Sequence, residues 1–203
     1  DLDNDTYQYE RQAYWDKTDP KVPIPFYGFK EYFAVMRHGF NTGGSHLEWV
    51  KKNAPETLAL RGRDKQFDHD ITVPQAIRTK VPEEHYSTTY IADRAVEWLE
   101  ARRSNDKPFL LMVSFPDPHH PFTPPGKYWD MYKPEDMVVP AAYEADDWDP
   151  PEYVKVAERD RAKDPSLGQM AGYSVAVSKQ EALEARALTC GMISMIDDAV
   201  GRV

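Results

Sequence analysis

The stretch "PFLLMVSFPDPHHPFTPP", residues 108–125, constrains this chain more than any other, because an apolar run from Phe109 to Phe115 stops at two histidines boxed in by prolines. The run does not alternate polar with apolar residues, which suits a strand covered on both faces, as in a parallel sheet flanked by helices. Pro116, Pro118 and Pro121 fix three φ angles and restrict the residues before them. The turn therefore holds His119 and His120 with little entropy left to lose. In open α/β sheets ligands collect beyond the carboxyl ends of the strands, which is where this turn lies. Adjacent residues of an extended segment point in opposite directions, so one of the two imidazoles is expected to face the crevice, and chelation by both is disfavoured. The competing reading is a structural turn with no chemistry.

The residues before the run complete half of an α/β layer. In "YSTTYIADRAVEWLEARRSNDKP", Ile91, Ala95 and Leu99 recur at four-residue spacing, Ser87 or Thr88 is placed to cap the start, and Arg102, Arg103 and Lys107 gather at the negative end of the dipole. A short helix is predicted from about His46, where Ser45 and Glu48 have capping-box spacing. Residues 1–25 and the stretch after Pro140 read as irregular surface segments, the second (141–178) a long excursion with a short helix around "EYVKVAERDRA". From Lys179 to Val203 a long helix is predicted, with Leu188, Met192, Ile196, Ala199 and Val203 on one stripe despite Gly191. The fold class expected is α/β, with long irregular surface segments. A helix running into the last residue without a stop signal suggests that the 203 residues are an internal portion of one domain.

Composition narrows the function. With 25 Lys and Arg against 34 Asp and Glu, the formal charge is −9, so nucleic acid is not expected as a partner. No apolar run approaches the roughly 20 residues of a membrane helix. The chain reads as soluble, periplasmic or cytoplasmic, since a single cysteine, Cys190, leaves the redox compartment open. Cys190 lies in an apolar helical stripe and reads as a small buried residue. No HExxH, CxxC, calcium loop, GxSxG, P-loop or GxGxxG occurs, and no metal ligand is assigned. His38 and His46 flank a Gly-rich turn and could enter the same pocket as His119; His69 and His85 read as solvated loop residues.

The stretch "KPFLLMVSFPDPHHPFTPPGKYWDMYKPEDMVVP" resembles the middle of the sulfatases of the alkaline phosphatase superfamily, where such a strand leads into a Pro-His-x-Pro turn. "YSTTYIADRAVEWLE" and "ARALTCGMISMIDDAVGRV" are similar to family helices in the same order, and "GFNTGGSHLEWV" to its Gly-His region. The resemblance implies an alkaline-phosphatase-like mixed or parallel sheet flanked by helices, and a sulfated small molecule or saccharide as substrate. It implies that His119 contacts the sulfate ester near the bridging oxygen, where an imidazole of ordinary pKa near 6.5 can protonate the departing alcohol. His120 is expected to shape the rim of the substrate pocket, and His46 to join the substrate-binding wall. For Asp197 and Asp198 it implies no metal role.

The departures are equally informative. The family uses a formylglycine, made from Cys or Ser in a C/S-x-P-x-R motif, and a calcium ion; neither that motif, the acidic ligands nor the Gly-Lys-Trp-His segment occurs here. The resemblance therefore implies a portion of a sulfatase that supplies one wall of the site, inactive in isolation, with nucleophile and calcium held elsewhere. Alternatives stay open: a phosphonate monoester or phosphodiester hydrolase of the same superfamily, a non-enzymatic binding module, or a transition-metal site of His119 with His38 or His46. Oligomeric state is not legible.

Overall fold

The computed structural model describes residues 5–16, 20–104, 107–144, 149–174 and 176–203. Five α-helices appear among them: α1 (Gln12–Trp15), α2 (Ser45–Asn53), α3 (Ser87–Glu100), α4 (Glu152–Lys163) and α5 (Lys179–Arg202). Two short strands, β1 (Val35–Met36) and β2 (Gly43–Gly44), pair antiparallel with Val35 opposite Gly44. The architecture is mixed and rich in helix.

The predicted helices form, though not always with the predicted caps. α2 begins at Ser45, but its Oγ accepts from the backbone N–H of Ala34 at 3.0 Å instead of capping the helix, and Gly44 at φ 67° is the N-cap. Ser45 is thus used to tie the helix start back to the residue before β1. α3 starts at Ser87 with neither Ser87 nor Thr88 capping it; both are buried inside the first turn. Its other end follows the charge argument, since Arg102 Nη1 donates to the carbonyl of Trp98 at 3.1 Å and the guanidinium lies 3.7 Å over the Trp98 ring. α5 has a reciprocal capping box at Ser178 and Glu181. Its buried stripe runs through Glu184, Ala187, Leu188, Gly191, Met192, Met195 and Ala199, while Val203 is exposed and Ile196 half-buried, so the stripe is rotated from the one predicted. Cys190 is a free, half-buried thiol beside that stripe.

Two apolar clusters hold α5 to the loops. Val73, Ala76, Trp129 and Leu188 form one, and Val81, Tyr86, Tyr128 and Met195 the other. Beside the first cluster Glu184, only 2% exposed, binds the loop at Thr72 and Val73: its Oε2 accepts from the backbone N–H groups of both, each at 2.7 Å, and from Thr72 Oγ1 at 2.9 Å. A carboxylate receiving several N–H and O–H donors is one of the few ways such a group can be buried. Within 141–178, α4 buries Val154 and Ala157, so this excursion carries apolar anchors of its own.

The run from Phe109 to Phe115 departs from the sequence reading. It has no ladder partner among the described residues, and Phe109, Leu110 and Met112 are 58%, 78% and 70% exposed. The described residues form no parallel sheet, and the run is not covered on both faces. A lone extended segment cannot satisfy its backbone or bury both faces without neighbouring strands. No described helix is long and apolar enough to cross a membrane.

Candidate functional site

The turn after the apolar run is fixed from behind. Phe122 donates its N–H to the carbonyl of Gln75 and accepts from the N–H of Ile77, both at 3.0 Å, a parallel bridge between Ala76 and Phe122. Thr123, Pro124 and Pro125 are fully buried, and Thr123 Oγ1 meets the buried Tyr86 hydroxyl at 2.7 Å. The residues following the histidines are therefore core. The histidines are not: His119 is exposed and His120 half-buried.

This anchoring presents one nitrogen. His119 Nδ1 lies 2.5 Å from the carbonyl of His120. A carbonyl only accepts, so Nδ1 carries the hydrogen and Nε2 is left as the free atom of the ring. His38 stacks on His119 with ring centroids 3.9 Å apart and planes 14° from parallel, and the His120 ring lies 4.1 Å from the His119 ring on a 32° tilt. Burial, then the neighbouring His119 and His120, lower the His38 pKa below its ordinary value; burial, then His119, do the same for His120. Both neighbours are thereby biased to neutrality beside the central imidazole.

Asp117, 4% exposed at the start of the turn, was not singled out by any sequence motif. Burial pushes its carboxyl up to about 6, against the pull of the Tyr86 hydroxyl, the His119 charge and Thr88. Its Oδ1 has no partner at hydrogen-bond geometry, nor has Thr88 Oγ1.

His46 is bonded to partners of its own, Thr42 and His85. His46 is 2% exposed, its Nδ1 lies 2.8 Å from Thr42 Oγ1 and its Nε2 3.0 Å from the carbonyl of His85. Nε2 must donate to that carbonyl and Nδ1 accept from the hydroxyl, so both nitrogens are occupied in the neutral ring; burial lowers its pKa to about 4. His85, expected to be solvated, is half-buried and bonds Thr57 Oγ1 through Nδ1 at 2.7 Å. His69 is likewise half-buried, 5.2 Å from the Trp129 ring. Asp198 Oδ2 accepts from the Tyr128 hydroxyl at 2.6 Å, and that bond lowers its pKa.

A cavity of about 590 Å³ lies elsewhere, between Trp129, His69 and the start of α5. Its wall carries Asp68, Asp70, Asp130, Glu135 and Glu184, a field that repels an anionic ester. Among the described residues no group of three or more His, Cys, Asp or Glu side chains is arranged to hold a metal ion. The donor set a calcium ion needs, several converging oxygens, is not assembled by them.

Comparison with known proteins defines the class. The Sulfatase family matches residues 34–203, and the chain belongs to that family. It is 32% identical over 162 residues to the multifunctional alkaline phosphatase superfamily protein PehA of Trinickia caryophylli, covering 78% of this chain and 31% of that protein. It is 34% identical over 117 residues to an arylsulfatase of Clostridium perfringens, covering 58% of this chain and 22% of the relative. An ulvan-active sulfatase of Formosa agariphila is 42% identical over 117 residues, covering 50% and 22%. The chain thus spans less than a third of the length of each of these relatives.

Proposed function

We propose that the whole protein to which this chain contributes hydrolyses sulfate esters of small molecules or saccharides, with His119 on the substrate. The observation that carries the reading is the His119 ring itself, exposed, with Nδ1 tied to the His120 carbonyl and Nε2 left free. In the protonated ring, Nε2–H is the donor directed at the bridging oxygen. As the sulfur–oxygen bond breaks, its electron pair and that proton both go to the departing alcohol. His120, half-buried beside it, shapes the rim. His46 enters as the framework of the substrate-binding wall, holding Thr42 and His85 together beneath the surface.

The family's calcium ion and formylglycine would supply charge neutralisation and the nucleophile, and both are assigned to residues other than those described here. The chain is one wall of a single catalytic domain, and by itself is expected to be inactive. In that domain the exposed run from Phe109 to Phe115 takes a place within an alkaline-phosphatase-like sheet, which would remove Leu110 and Met112 from water.

A second reading is favoured by the relative whose match covers 78% of the chain and whose name calls it multifunctional: a phosphonate monoester or phosphodiester hydrolase. The purified whole protein should be assayed against an aryl sulfate, an aryl phosphonate monoester and an aryl phosphodiester. A kcat/KM highest for the sulfate is expected. Preference for either phosphorus ester would replace this reading by the second.

A further inference from the structure

Stacking on an exposed side chain needs a reason, because an exposed histidine ordinarily samples several rotamers. His38 reaches His119 from a loop more than 80 residues earlier in the chain, and that loop is built unusually. Arg37 at φ 60° and Gly39 at φ 55° both adopt left-handed backbone on either side of it. A Cβ at Gly39 would run into the Thr123 side chain, so only glycine lets the loop approach the buried end of the histidine turn this closely. Left-handed backbone at a non-glycine residue is sterically unfavourable and persists where the surroundings over-determine it. His38 Nδ1 is enclosed and has no hydrogen-bond partner, which gives the ring no polar anchor on that side. Its orientation is set by the stack.

We propose that His38 is a positioning residue for His119: its ring packs on the face of the His119 imidazole and, with the His120 carbonyl on Nδ1, fixes the plane in which Nε2 meets the substrate. The inference rests on the reading that His119 touches the ester. The groups facing the pair are His120 and the buried Asp117, whose carboxyl feels the His119 charge. Fixing an edge-on imidazole matters because a proton donor displaced by about 1 Å can lose up to 10²-fold in rate. A flat ring is sufficient for this role, and the nitrogens of His38 are not required.

The test uses the whole protein carrying His38→Ala, His38→Phe or no change, with two readouts. In ¹⁵N spectra of the histidine rings, unliganded wild-type His119 is expected as one tautomer with hydrogen on Nδ1 at alkaline pH. His38→Ala should average the two tautomers, and His38→Phe should restore the single one. In ester hydrolysis, His38→Ala should lower kcat by roughly 10- to 100-fold with a much smaller change in KM, and His38→Phe should recover to within about threefold of wild type. The proposal is overturned if His38→Ala leaves the His119 tautomer and kcat as in wild type, or if His38→Phe behaves like His38→Ala in both. Lack of hydrolysis by the wild-type protein would overturn the functional reading alone; the spectra would still decide whether His38 positions His119.

Discussion

Gly191 in the middle of α5 lies against the carbonyl oxygen of Tyr128 so closely that a β-carbon has no room there. Tyr128 in turn donates from its hydroxyl to Asp198, about two turns further along the same helix, at 2.6 Å. Together these contacts seat the helix on the segment that leaves the histidine turn. Alanine is the better helix former by about 1 kcal/mol, so propensity alone predicts that Gly191→Ala stabilises the protein. We expect the opposite, a loss of roughly 1–3 kcal/mol from overpacking against backbone that cannot move aside. Thermal unfolding decides the sign, and a raised midpoint would show that the contact is loose.

Glu184 is the second attachment of α5, holding two backbone N–H groups and one hydroxyl of the loop at Thr72 and Val73. Glu184→Ala leaves buried donors unmatched and should cost on the order of 3 kcal/mol. Glu184→Gln keeps one acceptor oxygen and should cost less than half as much. Denaturant midpoints of the two variants measured side by side test this order; equal losses would mean that shape, not hydrogen bonding, is what the carboxylate contributes.

His46 and Asp117 make opposite demands on pH. The His46 pKa is lowered from 6.5 to about 4, so its contribution is present above 6.5 and is lost as pH falls through 4, on the order of 3 kcal/mol at most. The Asp117 pKa is raised from 3.8 to about 6, so its contribution is present below 3.8 and is lost as pH rises through 6. Between pH 6 and 4 the two changes oppose each other. Asp117→Asn should therefore show a steeper fall in unfolding temperature over that window than wild type, and His46→Asn a shallower one. Parallel curves for all three proteins would remove both groups from the account.

The longer helices were legible in the sequence because their signals are local, the four-residue spacing of Ile91, Ala95 and Leu99 and the long stripe after Lys179, whereas α1, with Trp15 buried, forms in a segment read as irregular surface. Their caps were less so. Ser45 has capping-box spacing, yet its hydroxyl is taken by Ala34, a partner eleven residues away that only the tertiary structure supplies. The apolar run before the turn carried the signal of a buried strand, but burial is a property of neighbours, and no described segment pairs with it. At the site, the proline-boxed His119 was visible as a candidate because prolines restrict backbone wherever they stand. The stack with His38, the core position of His46 and the enclosed Asp117 depend on contacts between distant segments, and residue spacing does not encode these.

The most direct measurement is the hydrolysis of an aryl sulfate by the whole protein carrying His119→Ala, beside His120→Ala. Because His119 is exposed, the substitution should leave the unfolding temperature nearly unchanged. If Nε2 of His119 delivers the proton to the leaving alcohol, kcat/KM should fall by about 10²- to 10⁴-fold, while His120→Ala stays within about tenfold of wild type. A His119→Ala protein that hydrolyses the ester at the wild-type rate would contradict the account.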